Sequence, residues 1–528
     1  MLSYHVDAEE LVAKCKDHPH TKSHAHTMAR HSGGVYASRD GAKDIPKFSL
    51  PAEGMSPRAA YQMLHDELNL DGTPALNLAS FVHTWMPEEG EKLMYENMYK
   101  NLADQDEYPA TVRIQERCIS IIANFWKVPK GCKAVGTATG GSSEAIMLGG
   151  LALKKRWQEQ RTKAGKDTLK PNIVFGANAQ VALEKFARYF DVEMRLVPVD
   201  ESTRFVMSPK RAMEYIDENT IGVMVILGST YTGVFENVLE MNACLDEYEA
   251  KTKHHVPIHV DAASGGFFAP FAYPKYQWAF DIPRVQSINT SGHKFGLTPV
   301  GLGWIIWKDE EFLHKDLIFE LHYLGSTEYS FNLNFSRPAA PIIAQMFNFL
   351  SLGREGYTRI ARVDLANARI FSRALEASGY YTVVSEIHKK FTESGVGAAV
   401  ADVVGHADED SPVYYQRGLP VVAFRFSDEF KQEYPHCKQE WIQNLLRVKG
   451  WIVPNYALPP NVENIDVLRV VVRENVSAEM VERLIADLMA TTEQLMKKGT
   501  SAIMMATTSE AEDKVINDRT QVVYSKPC

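Results

Sequence analysis

Apolar and polar positions follow two rhythms along this chain, and its central part switches repeatedly between them. Residues 221–227 (Ile-Gly-Val-Met-Val-Ile-Leu) are almost wholly apolar, the pattern of a strand buried on both faces. Shorter runs at 172–175, 194–199, 256–260 and 303–307 read as further strands. Between and before them, 111–125, 142–157 and 181–189 carry helical spacing, the second rich in Ala, Leu and Met. Helix and strand signals in turn, from about 110 to 310, predict an α/β fold with a mostly parallel central sheet flanked by helices. Ligands then bind at the carboxyl ends of the strands.

The texture changes after about residue 350. A helix at 360–378, strands near 381–384 and 421–426, a helix at 441–448, a strand at 467–472 and a helix at 477–496 suggest a smaller α+β domain. Near the N-terminus a helix is expected over 56–68, with Ser56 as cap and Pro57 in the first position. The expected division is an arm and helix over 1–75, a large domain over 76–350, a small domain over 351–498 and a flexible tail over 499–528. No internal repeat is visible.

Composition narrows the function classes. The 528 residues are 45% hydrophobic and 23% charged, ordinary values for a globular chain of two or three domains. A net charge of -9 argues against a nucleic-acid partner, because phosphate binding needs a basic surface. No apolar run approaches the length of a membrane-spanning helix, and the first residues lack a basic-then-apolar signal pattern. Cys15, Cys118, Cys132, Cys244, Cys437 and Cys528 are scattered, suggesting neither a disulfide framework nor a zinc site, so a reducing cytoplasmic compartment is expected. His5, His18, His20, His24, His26 and His31 crowd a polar, Gly- and Pro-broken arm read as mobile rather than metal-binding.

The chemistry gathers around Lys294, in Ser291-Gly292-His293-Lys294-Phe295-Gly296, with apolar sequence on both sides. Such a lysine sits at the edge of a buried site, where desolvation lowers the amine pKa as a Schiff-base lysine requires. Upstream, Thr139-Gly140-Gly141-Ser142-Ser143 opens a helix, and its glycines, hydroxyls and free N–H groups suit a phosphate; a plain serine-capped turn is the alternative. Asp261 ends the strand His259-Val260-Asp261, where a carboxylate can keep a ring nitrogen protonated, or merely cap the next element. His293 is either a phosphate donor or a packed core histidine, and Ser336-Arg337 adds a hydroxyl and a guanidinium. A phosphate cradle, a strand-end acid and a lysine in this order describe a pyridoxal-phosphate site of the aspartate-aminotransferase fold, fold type I.

The same stretches carry a resemblance. Asn77-Leu78-Ala79-Ser80-Phe81, Glu107-Tyr108-Pro109, Gly141-Ser142-Ser143-Glu144-Ala145, Thr230-Tyr231-Thr232-Gly233, His259-Val260-Asp261-Ala262-Ala263-Ser264-Gly265-Gly266, Ser291-Gly292-His293-Lys294-Phe295-Gly296 and Asn334-Phe335-Ser336-Arg337-Pro338 stand among them. Over roughly 35–490 the chain resembles glutamate decarboxylases of the bacterial, plant and fungal type, within the group II pyridoxal-phosphate decarboxylases. The resemblance implies a carbon–carbon lyase converting L-glutamate to 4-aminobutyrate and CO2, with Lys294 as the Schiff-base lysine and Asp261 on the ring nitrogen. It implies Ser142, Ser143 and His293 on the phosphate, joined by Ser336 toward the neighbouring subunit. Gln180 would stack on the ring and Thr230 would lie beside the leaving carboxylate. Ser80, the backbone at Phe81, Asn101 and Asp104 would bind the distal carboxylate, and Arg469 the α-carboxylate, with a structural ion pair as its alternative and Arg473 on the same strand face. Tyr323 or the freed Lys294 would return the proton to Cα. A homodimer at minimum is implied, and a hexamer by resemblance. The rivals are another acidic amino acid such as aspartate, transamination, and a cofactor-binding protein without turnover.

Two features depart from relatives. The C-terminus, Tyr524-Ser525-Lys526-Pro527-Cys528, lacks the histidine with which some bacterial members plug the site. Residues 497–528 contain no tryptophan and mix both charges, so calmodulin is not an expected partner.

Overall fold

A computed structural model describes residues 49–321, 328–390 and 414–498, in two compact units that divide between Thr73 and Pro74. The N-terminal histidines and the C-terminal tail singled out in the sequence lie outside the described residues.

In the first unit, α1 (Pro57–Leu68) starts where expected: the Ser56 side chain accepts from the Ala59 N–H, with proline at the head of the helix. None of its residues is buried.

The second unit, leaving aside helices of six residues or fewer, opens with α2 (Glu88–Glu96) and α3 (Pro109–Phe125). It continues with β1 (Val135–Thr139), α4 (Ser142–Lys163), β2 (Asn172–Gly176), α5 (Val181–Tyr189), β3 (Glu193–Val197) and β4 (Thr220–Ile226). Next come α6 (Val238–Thr252), β5 (Ile258–Asp261), β6 (Val285–Ser291) and β7 (Gly303–Trp307). These strands form one seven-stranded sheet in the order β1-β7-β6-β5-β4-β2-β3. All run parallel but β7, which pairs antiparallel with both β1 and β6. Only eleven residues join β6 to β7, too few for the crossover helix a parallel neighbour needs, so the chain turns straight back.

The strands are short and, apart from β3 and the start of β1, buried, with helices on both faces. On one face Leu153 and Trp157 of α4 and Phe186 of α5 pack on Ile173, Phe175 and Met224. On the other, Ile119 and Ile122 of α3 and Met241 and Leu245 of α6 join Val223, Val225, Val260 and Ile288. Trp126 anchors this layer, its indole N–H donating to the Gly266 carbonyl at 2.9 Å.

The long α7 (Ala340–Ala377) is broken at Gly353 (φ 56°) and begins well before the helix expected over 360–378. After it, β10 (Tyr381–Val383), β11 (Val421–Phe426), β12 (Asn455–Ala457) and β13 (Asp466–Val471) build an antiparallel sheet in the order β10-β11-β13-β12; strands β8 (Phe319–Leu321) and β9 (Glu328–Ser330) form a separate ribbon. Helices α8 (Glu440–Val448) and α9 (Ala478–Lys498) complete this region. Phe371, Phe424, Ile442, Leu468 and Leu488 form its core. No helix among the described residues is long and apolar enough to cross a membrane.

Candidate active site

A cavity of about 630 Å³ opens at the carboxyl ends of the central strands. Among its lining residues are Ser80, Phe81, Ser142, Ser143, Gln180, Thr230, Asp261, His293 and Lys294. The central ones come from three local devices.

The first device is the turn from β1 into α4. Among the described residues no side chain caps this helix, and Gly140, Gly141, Ser142, Ser143 and Glu144 all line the cavity. An uncapped helix start presents unshared N–H groups and the positive end of the dipole, a site for an anion. Ser142 accepts from Ser291 Oγ at 2.9 Å and from Asn289 Nδ2 at 3.2 Å. Buried Glu144 ties the turn down, accepting from the Gly140 N–H and from the Leu333 and Asn334 N–H groups. The turn sits against β7 so closely that a Cβ on Gly303 would lie 2.4 Å from the Gly141 carbonyl carbon. Gly303→Ala is therefore expected to cost about 1–3 kcal/mol, as overpacking does. The variant apoprotein should melt lower in calorimetry, and the variant reconstituted with pyridoxal phosphate should lose it more readily on dialysis.

The second device is the end of β5. Asp261 is buried, and its Oδ1 accepts from Asn289 Nδ2 at 2.8 Å and from the Ala263 N–H at 3.1 Å. The third is the turn after β6, which carries His293 and Lys294. The Lys294 amine donates to Ser264 Oγ at 3.1 Å and lies 5.2 Å from the centre of the Phe81 ring. Burial pushes its pKa down to about 8, with Arg469 adding to the shift and Asp261 opposing it. Burial, reinforced by the neighbouring Lys294 ammonium, pushes His293 down to about 4. Its Nδ1 accepts from the Leu302 N–H at 3.3 Å, which leaves Nε2 as the N–H donor of a neutral ring.

An amine, a carboxylate and an anion-binding helix start thus converge on one cavity. Together they fit an aldehyde, a basic ring nitrogen and a phosphate. The model of the pyridoxal-dependent decarboxylase conserved domain matches residues 51–391. The chain belongs to the pyridoxal-dependent decarboxylase family. The glutamate decarboxylase of Saccharomyces cerevisiae is 47% identical over 461 residues, spanning 84% of this chain and 78% of that one. Glutamate decarboxylase 1 of Arabidopsis thaliana is 42% identical over 495 residues, 93% of this chain and 91% of that one. The solved glutamate decarboxylase of Lactobacillus brevis superposes with a TM-score of 0.79 at 34% identity, covering 88% of this chain and 98% of that one.

Within this family frame, several expected residues take places that the sequence did not give. Gln180 lines the cavity but also caps α5, its carbonyl accepting from the Ala182 N–H at 2.7 Å. Ser80 Oγ accepts from the Val82 N–H, fixing the loop that carries Phe81. Arg469 is not among the lining residues. Its guanidinium donates to the Thr230 and Ala79 carbonyls at 2.7 and 2.6 Å, and it pairs with no carboxylate among the described residues. It joins two walls of the cavity through their backbones. Arg473 lies beyond the end of β13 and holds the same loop one step further along, through the Val82 carbonyl at 2.7 Å.

Asn101, Asp104 and Ser336 are not brought into this chain's cavity. Asn101 Nδ2 lies 3.4 Å from Ser336 Oγ, and Asn101 Oδ1 accepts from the Arg337 N–H, so Asn101 and Ser336 form a cluster of their own. Tyr323 lies outside the described residues. Two site residues went unread. Ser264 is the hydrogen-bond partner of Lys294, and Asn289 is the partner of Asp261. Asn289 had a signal: 287, 289 and 291 are polar at every second position of a strand buried throughout.

Proposed function

We propose that this protein removes the α-carboxylate of L-glutamate, releasing CO2 and 4-aminobutyrate. The observation that carries the reading is the meeting of Lys294, Asp261 and the uncapped start of α4 in one cavity of a pyridoxal-dependent decarboxylase. Its curated relatives are glutamate decarboxylases along most of their length.

Ser142, Ser143, the first turn of α4 and neutral His293 would hold the phosphate, and Asp261 the ring nitrogen. Gln180 would cover the ring face and Thr230 would stand at its edge. Bound in this way, pyridoxal phosphate supplies an electron sink for the pair left behind when the carbon–carbon bond breaks. Lys294 would supply the amine that holds the cofactor's aldehyde, and a base whose pKa of about 8 lets it carry a proton near neutrality. Phe81 packs its ring 5.2 Å from that amine. The Ser80 hydroxyl faces the cavity where the distal carboxylate would lie, and Arg469 keeps both walls in place.

Asn101, Asp104 and Ser336 complete the site if they serve a neighbouring copy. Their segment borders large exposed apolar side chains, with Trp85 65%, Tyr95 74% and Tyr99 88% exposed. A face of that kind is covered in an oligomer more often than left in water. The dimer is thus part of the reading, and a monomer in sedimentation velocity at working concentration would contradict it.

The substrate assignment is tested by CO2 release from carboxyl-labelled amino acids. L-Glutamate is expected to be turned over, with L-aspartate and aromatic amino acids slower by about 100-fold or more, since a polar pocket left unpaired discriminates strongly. Equal rates on an aromatic substrate would sink it.

The amine of Lys294 also sets a pH dependence. Capture of pyridoxal phosphate by the apoprotein needs the free amine, which is the minor form below a pKa of about 8. The capture rate, followed by stopped-flow absorbance, is expected to rise about tenfold per pH unit up to that value and level off above it. A rise continuing to pH 10 would mean an ordinary lysine.

A further inference from the structure

Behind Asp261 lies a chain of buried polar groups that cofactor binding alone does not require. His259 and Asp261 on β5 stand in register with Ser287 and Asn289 on β6. Every second residue points to the same face of the sheet, so all four side chains meet beneath α4. His259 and Asn289 are fully buried. Asn289 Nδ2 donates to Asp261 Oδ1 at 2.8 Å and to Ser142 Oγ at 3.2 Å. Asn289 Oδ1 lies 2.7 Å from His259 Nε2, and His259 Nδ1 lies 2.7 Å from Ser287 Oγ.

Donor and acceptor logic fixes the protons of this chain. The Asp261 carboxylate has no proton to give, so the Asn289 NH2 must face it and the Asn289 carbonyl must face His259. That carbonyl can only accept, so His259 Nε2 carries the proton. Burial favours the uncharged ring, so Nδ1 is bare and accepts from the Ser287 hydroxyl. Space fixes the ring as well. A Cβ on Gly149 of α4 would lie 2.5 Å from His259 Cε1, so the imidazole fills the room that the glycine leaves.

We propose that Asn289 and His259 are positioning residues for the cofactor's ring-nitrogen acid: His259, as the Nε2–H tautomer, orients the Asn289 amide so that one NH2 group spans Asp261 and the phosphate-side hydroxyl of Ser142. The acid and the phosphate cradle are then held at a fixed spacing by one side chain. The bond to Asn289 also keeps Asp261 Oδ1 occupied, leaving Oδ2 for the ring. This inference rests on the reading of Asp261 as the partner of the ring nitrogen.

The test compares the affinity of the apoprotein for pyridoxal phosphate and for its deaza analogue, in which carbon replaces the ring nitrogen. The native protein is expected to prefer pyridoxal phosphate. Asn289→Leu and His259→Leu should lower that preference by about tenfold, the loss of one hydrogen bond to a charged group. His259→Gln, which can still donate to Asn289, should keep most of it. Asp261→Ala should abolish it. Full preference in Asn289→Leu, with loss in Asp261→Ala, would overturn the positioning role and leave the Asp261 reading standing. Full preference in Asp261→Ala would overturn both. A measurement without variants guards against misfolding: histidine-selective nitrogen NMR of the native apoprotein at pH 7. It should show His259 neutral and protonated on Nε2, and a proton on Nδ1 would contradict the arrangement.

Discussion

Lys294→Ala is expected to lower turnover by on the order of 10^4-fold or more, the largest effect of any single change in the site. The reason is local. The turn after β6 carries the amine into the cavity, Ser264 fixes it at 3.1 Å, and burial brings its pKa to about 8. Among the described residues no other lysine lines the cavity to take over its role. Alanine removes the covalent attachment and the nearby base together, while the phosphate cradle stays intact. Pyridoxal phosphate should therefore still bind to the variant, without the visible absorption band of the lysine-bound form. Near-normal turnover, or an unchanged band, would remove Lys294 from the account.

Asp261→Ala should come second, lowering kcat by on the order of 10^3-fold. Removing one partner of a buried charge pair costs about 3–5 kcal/mol, and with Asp261 on the ring nitrogen, as proposed, that loss would fall on kcat. KM for glutamate should change far less, because the proposed role of Asp261 is toward the cofactor and that of the Ser80 loop toward the substrate. Steady-state kinetics on the reconstituted variant separate the two. A fall in kcat/KM carried by KM alone would mean that Asp261 serves the substrate.

Much of this site was legible because its residue types are unusual for their surroundings. A lysine between apolar segments, an acid at the end of an apolar strand and a Gly-Gly-Ser-Ser turn before a helix each conflict with simple core packing. Strands 221–227 and 303–307 were legible for the opposite reason, since an unbroken apolar run has few other uses. β1 (Val-Gly-Thr-Ala-Thr) escaped notice because its side chains carry no clear apolar pattern; β7, α3 and α4 pack against it in the fold. β6 escaped because five of its seven residues are polar, and only the folded sheet shows some of them satisfying one another. The early start of α7 was hidden by Gly353, which breaks the helical pattern where the chain bends.

Arg469 shows a different limit. A buried arginine near a cavity can bind an anion or tie backbone carbonyls together, and residue type does not separate these. The structure places it on the Thr230 and Ala79 carbonyls. Asn101, Asp104 and Ser336 show another limit: a motif can name a residue as part of a site without saying whose cavity it enters.

The most direct test is NMR of the products formed from carbon-labelled L-glutamate by the protein reconstituted with pyridoxal phosphate. Labelled 4-aminobutyrate, appearing in step with labelled CO2, is the expected result. A labelled keto acid with retained carboxylate would show the proton returning to the cofactor instead of Cα, and would contradict the assignment of decarboxylation to this cavity. Unchanged glutamate at both acidic and neutral pH would contradict the assignment of the substrate.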